Sequence, residues 1–240
     1  MRSHDQLAAE LGHLARALQQ ICSAGELLQE IVASAVHLIP GAEEGSIADI
    51  TNRRHIEHKA STSDWVRSTD LLMAETGQGP CLDAIWTQRT LRVDDLATER
   101  RWPEFTRQAV NLGARSVLSF QLYVEHGNLG ALNVYSRTPG AFNDDSEHVG
   151  LLVATHAAIA YAGSRKRQHL EDGLDSRGRI GQAMGILMER HQLDRARAFT
   201  VLARYSQDGN RKLHSIADDI VRDTESAALT HPAVSSSGSS

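Results

Sequence analysis

The residues best suited to chemistry lie near the end of the chain. The stretch DSRGRIGQAMGILMER places Gly181, Ala183 and Gly185 within one helix-compatible run. Glycine inside a helix costs about 1 kcal/mol relative to alanine, so two of them need a reason. One reason is close helix–helix packing; the other is close approach of a nucleic-acid backbone or base. Around them lie Arg177, Arg179, Arg190, Arg204, Arg211 and Lys212, with Ser206 and Asn210 between. Arginine pairs with phosphates and stacks on unpaired bases. The same set also suits a tight bundle with solvated arginines, and spacing alone leaves both readings open.

A second candidate is Cys81, which follows Gly79-Pro80 and opens a short helix. A helix N-terminus lowers a thiol pKa, which would suit a redox or ligand-sensing thiol. Gly79 and Cys81 are therefore candidate pocket residues. The competing expectation is a small apolar residue packed under the loop Glu75–Pro80, because the other cysteine, Cys22, is distant in sequence. There is no Walker loop, HExxH or GxSxG motif. His55 and His58 fall on opposite faces of a strand, which argues against a shared metal. No motif names a cofactor, and no catalytic constellation emerges.

Charge separates the chain into parts. Residues 1–163 carry 13 Lys and Arg against 20 Asp and Glu, whereas residues 164–222 carry 12 against 8. A basic module after an acidic one fits nucleic-acid contact, and it fits solvated helix faces equally. Two cysteines in 240 residues make no disulfide framework. The N-terminus lacks a secretory signal and no apolar run is long enough for a membrane span, so a cytoplasmic setting is expected.

The elements that must position these residues follow from periodicity. Leu7, Leu11, Leu14, Leu18 and Ile21 form an a/d seam over residues 1–21, whose partner is either a second chain or the body of the protein. A second helix carries Leu28, Ile31, Val32, Ala35 and Ile39 and stops at Pro40-Gly41. GSIADI and HIEHKAS read as strands around the turn TNRR. Residues 62–88 are mixed. Leu91-Arg92-Val93 is a strand, Pro103 opens a helix, and residues 116–136 form a hairpin about His126-Gly127-Asn128. Asn143, Asp144 and Asp145 are each a candidate N-cap for a long helix from about Asp145 to His191, continuous or nearly so. Residues 22–163 thus read as a sensory-type domain with an antiparallel sheet. Residues 164–224 read as three helices, with Asp194 and Asn210 as caps and Ala198, Phe199 and Leu202 on an inner face. Residues 225–240 end in a flexible polar tail.

The run SRGRIGQAMGILMERHQLDRARAFTVLARYSQDGNRKLHSIADDIV closely resembles the ANTAR domain, a three-helix RNA-binding module of transcription antiterminators. The family often has lysine where this chain has Met184, and arginine where it has Ala203. The first 165 residues resemble a GAF domain through ETGQGPCLDAI, TLRVDDL, RWPEF and GALNVYS. This order is common among actinobacterial regulators. The resemblance implies an α+β fold, with a GAF-like antiparallel sheet flanked by helices and then a C-terminal three-helix ANTAR bundle. It further implies a signal-responsive protein that favours an antiterminator of paired RNA stem-loops. Two loops match two protein copies, hence a homodimer, with a possible small-molecule ligand in the GAF domain. Under this reading Arg179, Arg190, Arg204, Arg211 and Lys212 hold RNA, Ala183 and Gly185 permit close approach, and Ser206 and Asn210 bond a base or cap helices. The alternative is a ligand- or redox-sensing GAF protein whose helical tail docks a protein partner through Met184 and Met188.

Overall fold

The computed structural model describes residues 4–51, 55–86, 90–124 and 127–230. They divide into two compact units, 1–166 and 167–240.

The first unit begins with α1 (His4–Gln20) and α2 (Ala24–Leu38). Ser23 caps α2, its hydroxyl accepting from the Glu26 amide. β1 (Glu44–Thr51) and β2 (His55–Ser61) follow, and the TNRR turn between them lies mostly outside the described residues. Next come α3 (Asp64–Thr76), α4 (Pro80–Trp86), β3 (Thr90–Val93) and α5 (Pro103–Asn111). β4 (Ser116–Val124) and β5 (Gly127–Ser136) make the expected hairpin, although His126 lies outside the described residues.

The five strands pair antiparallel in the order β2-β1-β5-β4-β3. Side chains alternate across the sheet, so each face buries its own set. On one face Ile47, Phe120, Leu122, Leu132 and Val134 pack with α1, α2 and the start of α6 (Asp144–His191). On the other, Ala48, Val117, Ala131 and Tyr135 pack with α3, α4 and α5. The seam residues Leu11, Leu14 and Leu18 are buried in the first cluster. The N-terminal stripe therefore finds its partner in the body of its own chain.

α3 is the one helix that periodicity did not reveal. Its inner face is Val66, Thr69, Asp70 and Met73, at helical spacing but half polar. α6 begins as expected, with Asn143 and Ser146 exchanging side-chain bonds to each other's amides.

The second unit is built from the C-terminal part of α6, α7 (Arg195–Asp208) and α8 (Leu213–Thr230). Its core is Ala183, Met184, Leu187, Ala198, Leu202, Ala217 and Val221. Asp194 caps α7, accepting from the Arg197 amide at 2.8 Å. Two expectations need correction. Phe199 is 46% exposed and lies off the inner face held by Ala198 and Leu202. Asn210 does not cap the third helix, which starts at Leu213; it sits in the left-handed region at φ 47°, a conformation asparagine tolerates.

Candidate nucleic-acid interface

The C-terminal bundle presents most of the expected residues on its surface and hides one. Ala183 is fully buried in the bundle core. Its small side chain serves helix packing, not approach by RNA, which corrects the sequence reading. Gly185 is exposed, and a Cβ built there, or at Gly181, would meet nothing within 4 Å. Neither glycine is required by packing within the described residues, so their propensity cost is not recovered there.

Four of the cations hold partners at the surface. Arg179 lies 3.5 Å from Asp218 and 3.7 Å from Glu225. Arg190 donates to the Thr224 hydroxyl at 2.9 Å. Arg204 lies 3.6 Å from Asp208, and Arg211 lies 2.7 Å from Asp219. The pairs of Arg179, Arg204 and Arg211 are solvent-exposed ion pairs, worth about 0–1 kcal/mol each, so a phosphate can displace the carboxylate at little cost. Lys212 is exposed just before α8. Ser206 is already committed: its hydroxyl donates to the Arg211 carbonyl and fixes the α7–α8 turn. That bond and the left-handed Asn210 shape the turn that carries Arg211 and Lys212.

The sensory unit places its candidates differently. Cys81 is fully buried, with its thiol 3.3 Å from the Met73 sulfur. Burial pushes the thiol well above its ordinary pKa and outweighs the opposing backbone hydrogen bonds at the α4 N-terminus. A thiolate nucleophile is not favoured there. Gly79 has φ 143°, and a Cβ would come within 2.6 Å of Met73. The glycine admits the Met73 side chain instead of bordering open space.

Sequence reasoning missed the buried polar centre of this unit. Asp70 is fully buried, accepts from the Ser46 hydroxyl at 2.9 Å, and lies 2.9 Å from His58 Nδ1. Burial raises its carboxyl above the ordinary value, while the bonds from His58 and Ser46 oppose the rise. His58 also lines a polar cleft of about 490 Å³ with Lys59, Thr62, Ser63 and Arg67. The pairing joins three separate segments, so no local motif could have signalled it. Among the described residues no group of three His, Cys, Asp or Glu side chains could hold a metal ion. No described helix is long and apolar enough to cross a membrane.

A GAF domain model matches residues 23–162, and an ANTAR domain model matches residues 168–221. The chain belongs to the GAF-domain family. Its second unit carries the match to the ANTAR domain model, so a GAF fold and an ANTAR-like helical unit lie on one chain. Solved structures share this fold. A free methionine-R-sulfoxide reductase from Neisseria meningitidis, solved with its substrate, is 14% identical over 70% of this chain and 96% of that chain, with a TM-score of 0.55. The GAF domain of a phosphoenolpyruvate-protein phosphotransferase from Coxiella burnetii is 14% identical over 68% and 96%, with a TM-score of 0.54. The chromophore-binding domain of a bacteriophytochrome from R. palustris is 11% identical over 70% and 64%, with a TM-score of 0.52. The match thus spans less than two thirds of that last structure. No curated protein matches the chain.

Proposed function

We propose that this GAF–ANTAR chain is a signal-responsive cytoplasmic regulator that promotes transcription antitermination by binding paired stem-loops in nascent RNA as a homodimer. The observation that carries the reading is the three-helix bundle matched by the ANTAR model, with Arg179, Arg190, Arg204, Arg211 and Lys212 displaced from no core role and Gly185 open to approach. Loop bases are read by stacking and hydrogen bonding while cations hold the backbone. The GAF unit supplies the input, and the cleft beside His58, Lys59 and Arg67 suits a polar or anionic small molecule better than the occluded Cys81 does. α6 contributes to both units and is the natural carrier of the signal.

The test is a titration of the full chain with paired-hairpin and single-hairpin RNAs at low and high salt, with sedimentation of the complexes. The reading expects tighter binding to paired hairpins, two chains per RNA, and weakening with salt. Equal, salt-independent affinity for an unrelated duplex would reject it.

A further inference from the structure

Six arginines of the bundle hold a carboxylate or hydroxyl within 4 Å: Arg179, Arg190, Arg197, Arg204, Arg211 and Arg222. Arg177 and Arg195 are exposed and have no such partner among the described residues. These two flank one groove of about 810 Å³ between α6 and α7. Its walls are Ile180, Met184 and Phe199, and Gly181 lies along it with open space where a side chain would stand. Phe199 turns out of the core that its neighbours Ala198 and Leu202 enter. The groove is therefore apolar and aromatic inside and cationic at its rim.

We infer that the α6–α7 groove bordered by Phe199, Met184 and Gly181 receives one unstacked nucleobase of a bound RNA loop, with Arg177 and Arg195 holding the flanking phosphates. The inference rests on the RNA-binding reading and adds a specific seat to it. A flat base stacks on the exposed Phe199 ring and covers the half-buried Ile180 beside it. The two guanidinium groups supply the charge that a nucleotide, and not an apolar protein helix, requires. The site lies apart from the Arg211–Lys212 turn, so the two can contact different parts of one loop or its stem. A Cβ at position 181 would narrow the groove, which accounts for a glycine there.

The test uses the full chain and the hairpin RNA most enriched by crosslinking, with 2-aminopurine replacing each loop purine in turn. One position is expected to be quenched on binding. Phe199→Ala should abolish that quench and weaken affinity about tenfold or more, while Phe199→Tyr retains both. Arg177→Ala and Arg195→Ala should each lower the salt slope by about 0.7. Circular dichroism of every variant should match the parent, because Phe199 lies outside the core. Wild-type binding with no quenched position, or unchanged affinity in Phe199→Ala, overturns the base seat and leaves the RNA reading standing. If Phe199→Ala impairs self-association but not RNA binding, a protein occupies the groove and the inference falls. If wild-type chain binds no RNA, both readings fail together.

Discussion

Tyr161 on α6 places its hydroxyl 2.9 Å from both carboxylate oxygens of Asp49 on β1. Asp49 lies on the sheet and is almost completely buried, and burial raises its carboxyl while the tyrosine bond opposes the rise. The contact ties the start of the long helix to the sheet. Tyr161→Phe should cost about 1.5–3 kcal/mol, the usual worth of a hydrogen bond to a charged group. Urea denaturation followed by circular dichroism reads this directly. An unchanged midpoint would show that the hydroxyl contributes nothing.

Asp70 gives a pH prediction of unusual sign. Its carboxyl is raised in the folded chain, so the fold binds that proton more tightly than the unfolded chain does. Its contribution is therefore most favourable at low pH and is lost as pH rises from 3.8 through the raised folded value. Asp70→Asn removes this loss while retaining an acceptor for Ser46. The stability of the variant relative to the parent should increase with pH across that range. Parallel stability curves would contradict the assignment of the effect to Asp70.

Two helical glycines on α6 should respond in opposite directions to alanine. A Cβ at Gly150 would lie 2.0 Å from Phe120, whose ring is fully buried and cannot withdraw. Gly150→Ala should destabilise by about 1–3 kcal/mol through overpacking, despite better helix propensity. Gly185→Ala meets open space and should stabilise by about 0.5–1 kcal/mol. If Gly185 serves close approach of RNA, the same variant binds hairpins more weakly. Thermal melts and hairpin titrations separate the two effects.

Arg204 and Lys212 are exposed cations outside the core. Replacing either with alanine should leave stability within about 0.5 kcal/mol. Each should lower the salt slope of RNA binding by roughly one unit if it holds a phosphate. Unchanged affinity and slope in both variants would remove them from the interface.

The thiols should differ sharply. Cys22 is exposed and Cys81 is buried. A thiol reagent should modify one equivalent in the native chain and a second only after unfolding, with RNA binding unaffected by the first. Rapid native modification of Cys81 would contradict its packing against Met73.

The sequence revealed elements wherever the buried face was apolar. α2, the hairpin and the bundle core follow directly from residues such as Ile31, Phe120 and Leu187. α3 stayed hidden because Thr69 and Asp70 occupy its inner face, and Asp70 is partnered there by Ser46 and His58, which are distant in sequence. The glycine-bearing helix was legible as a candidate interface, yet Ala183 within it proved to be core. Phe199 was misplaced because periodicity treats an aromatic at a boundary position as buried, and only the crossing of α6 and α7 decides its direction. Cys81 shows a local rule, the helix N-terminus, overridden by burial, which is a property of the whole fold.

The sheet rims carry a last consequence. β2 shows His55, Glu57 and Lys59 along an outermost strand, and β3 has only four residues, with Arg92 tied to Asp144 and Glu147 at the head of α6. Charge on one margin and brevity on the other discourage a foreign strand from zipping on. Growth into fibrils by edge addition is thereby disfavoured.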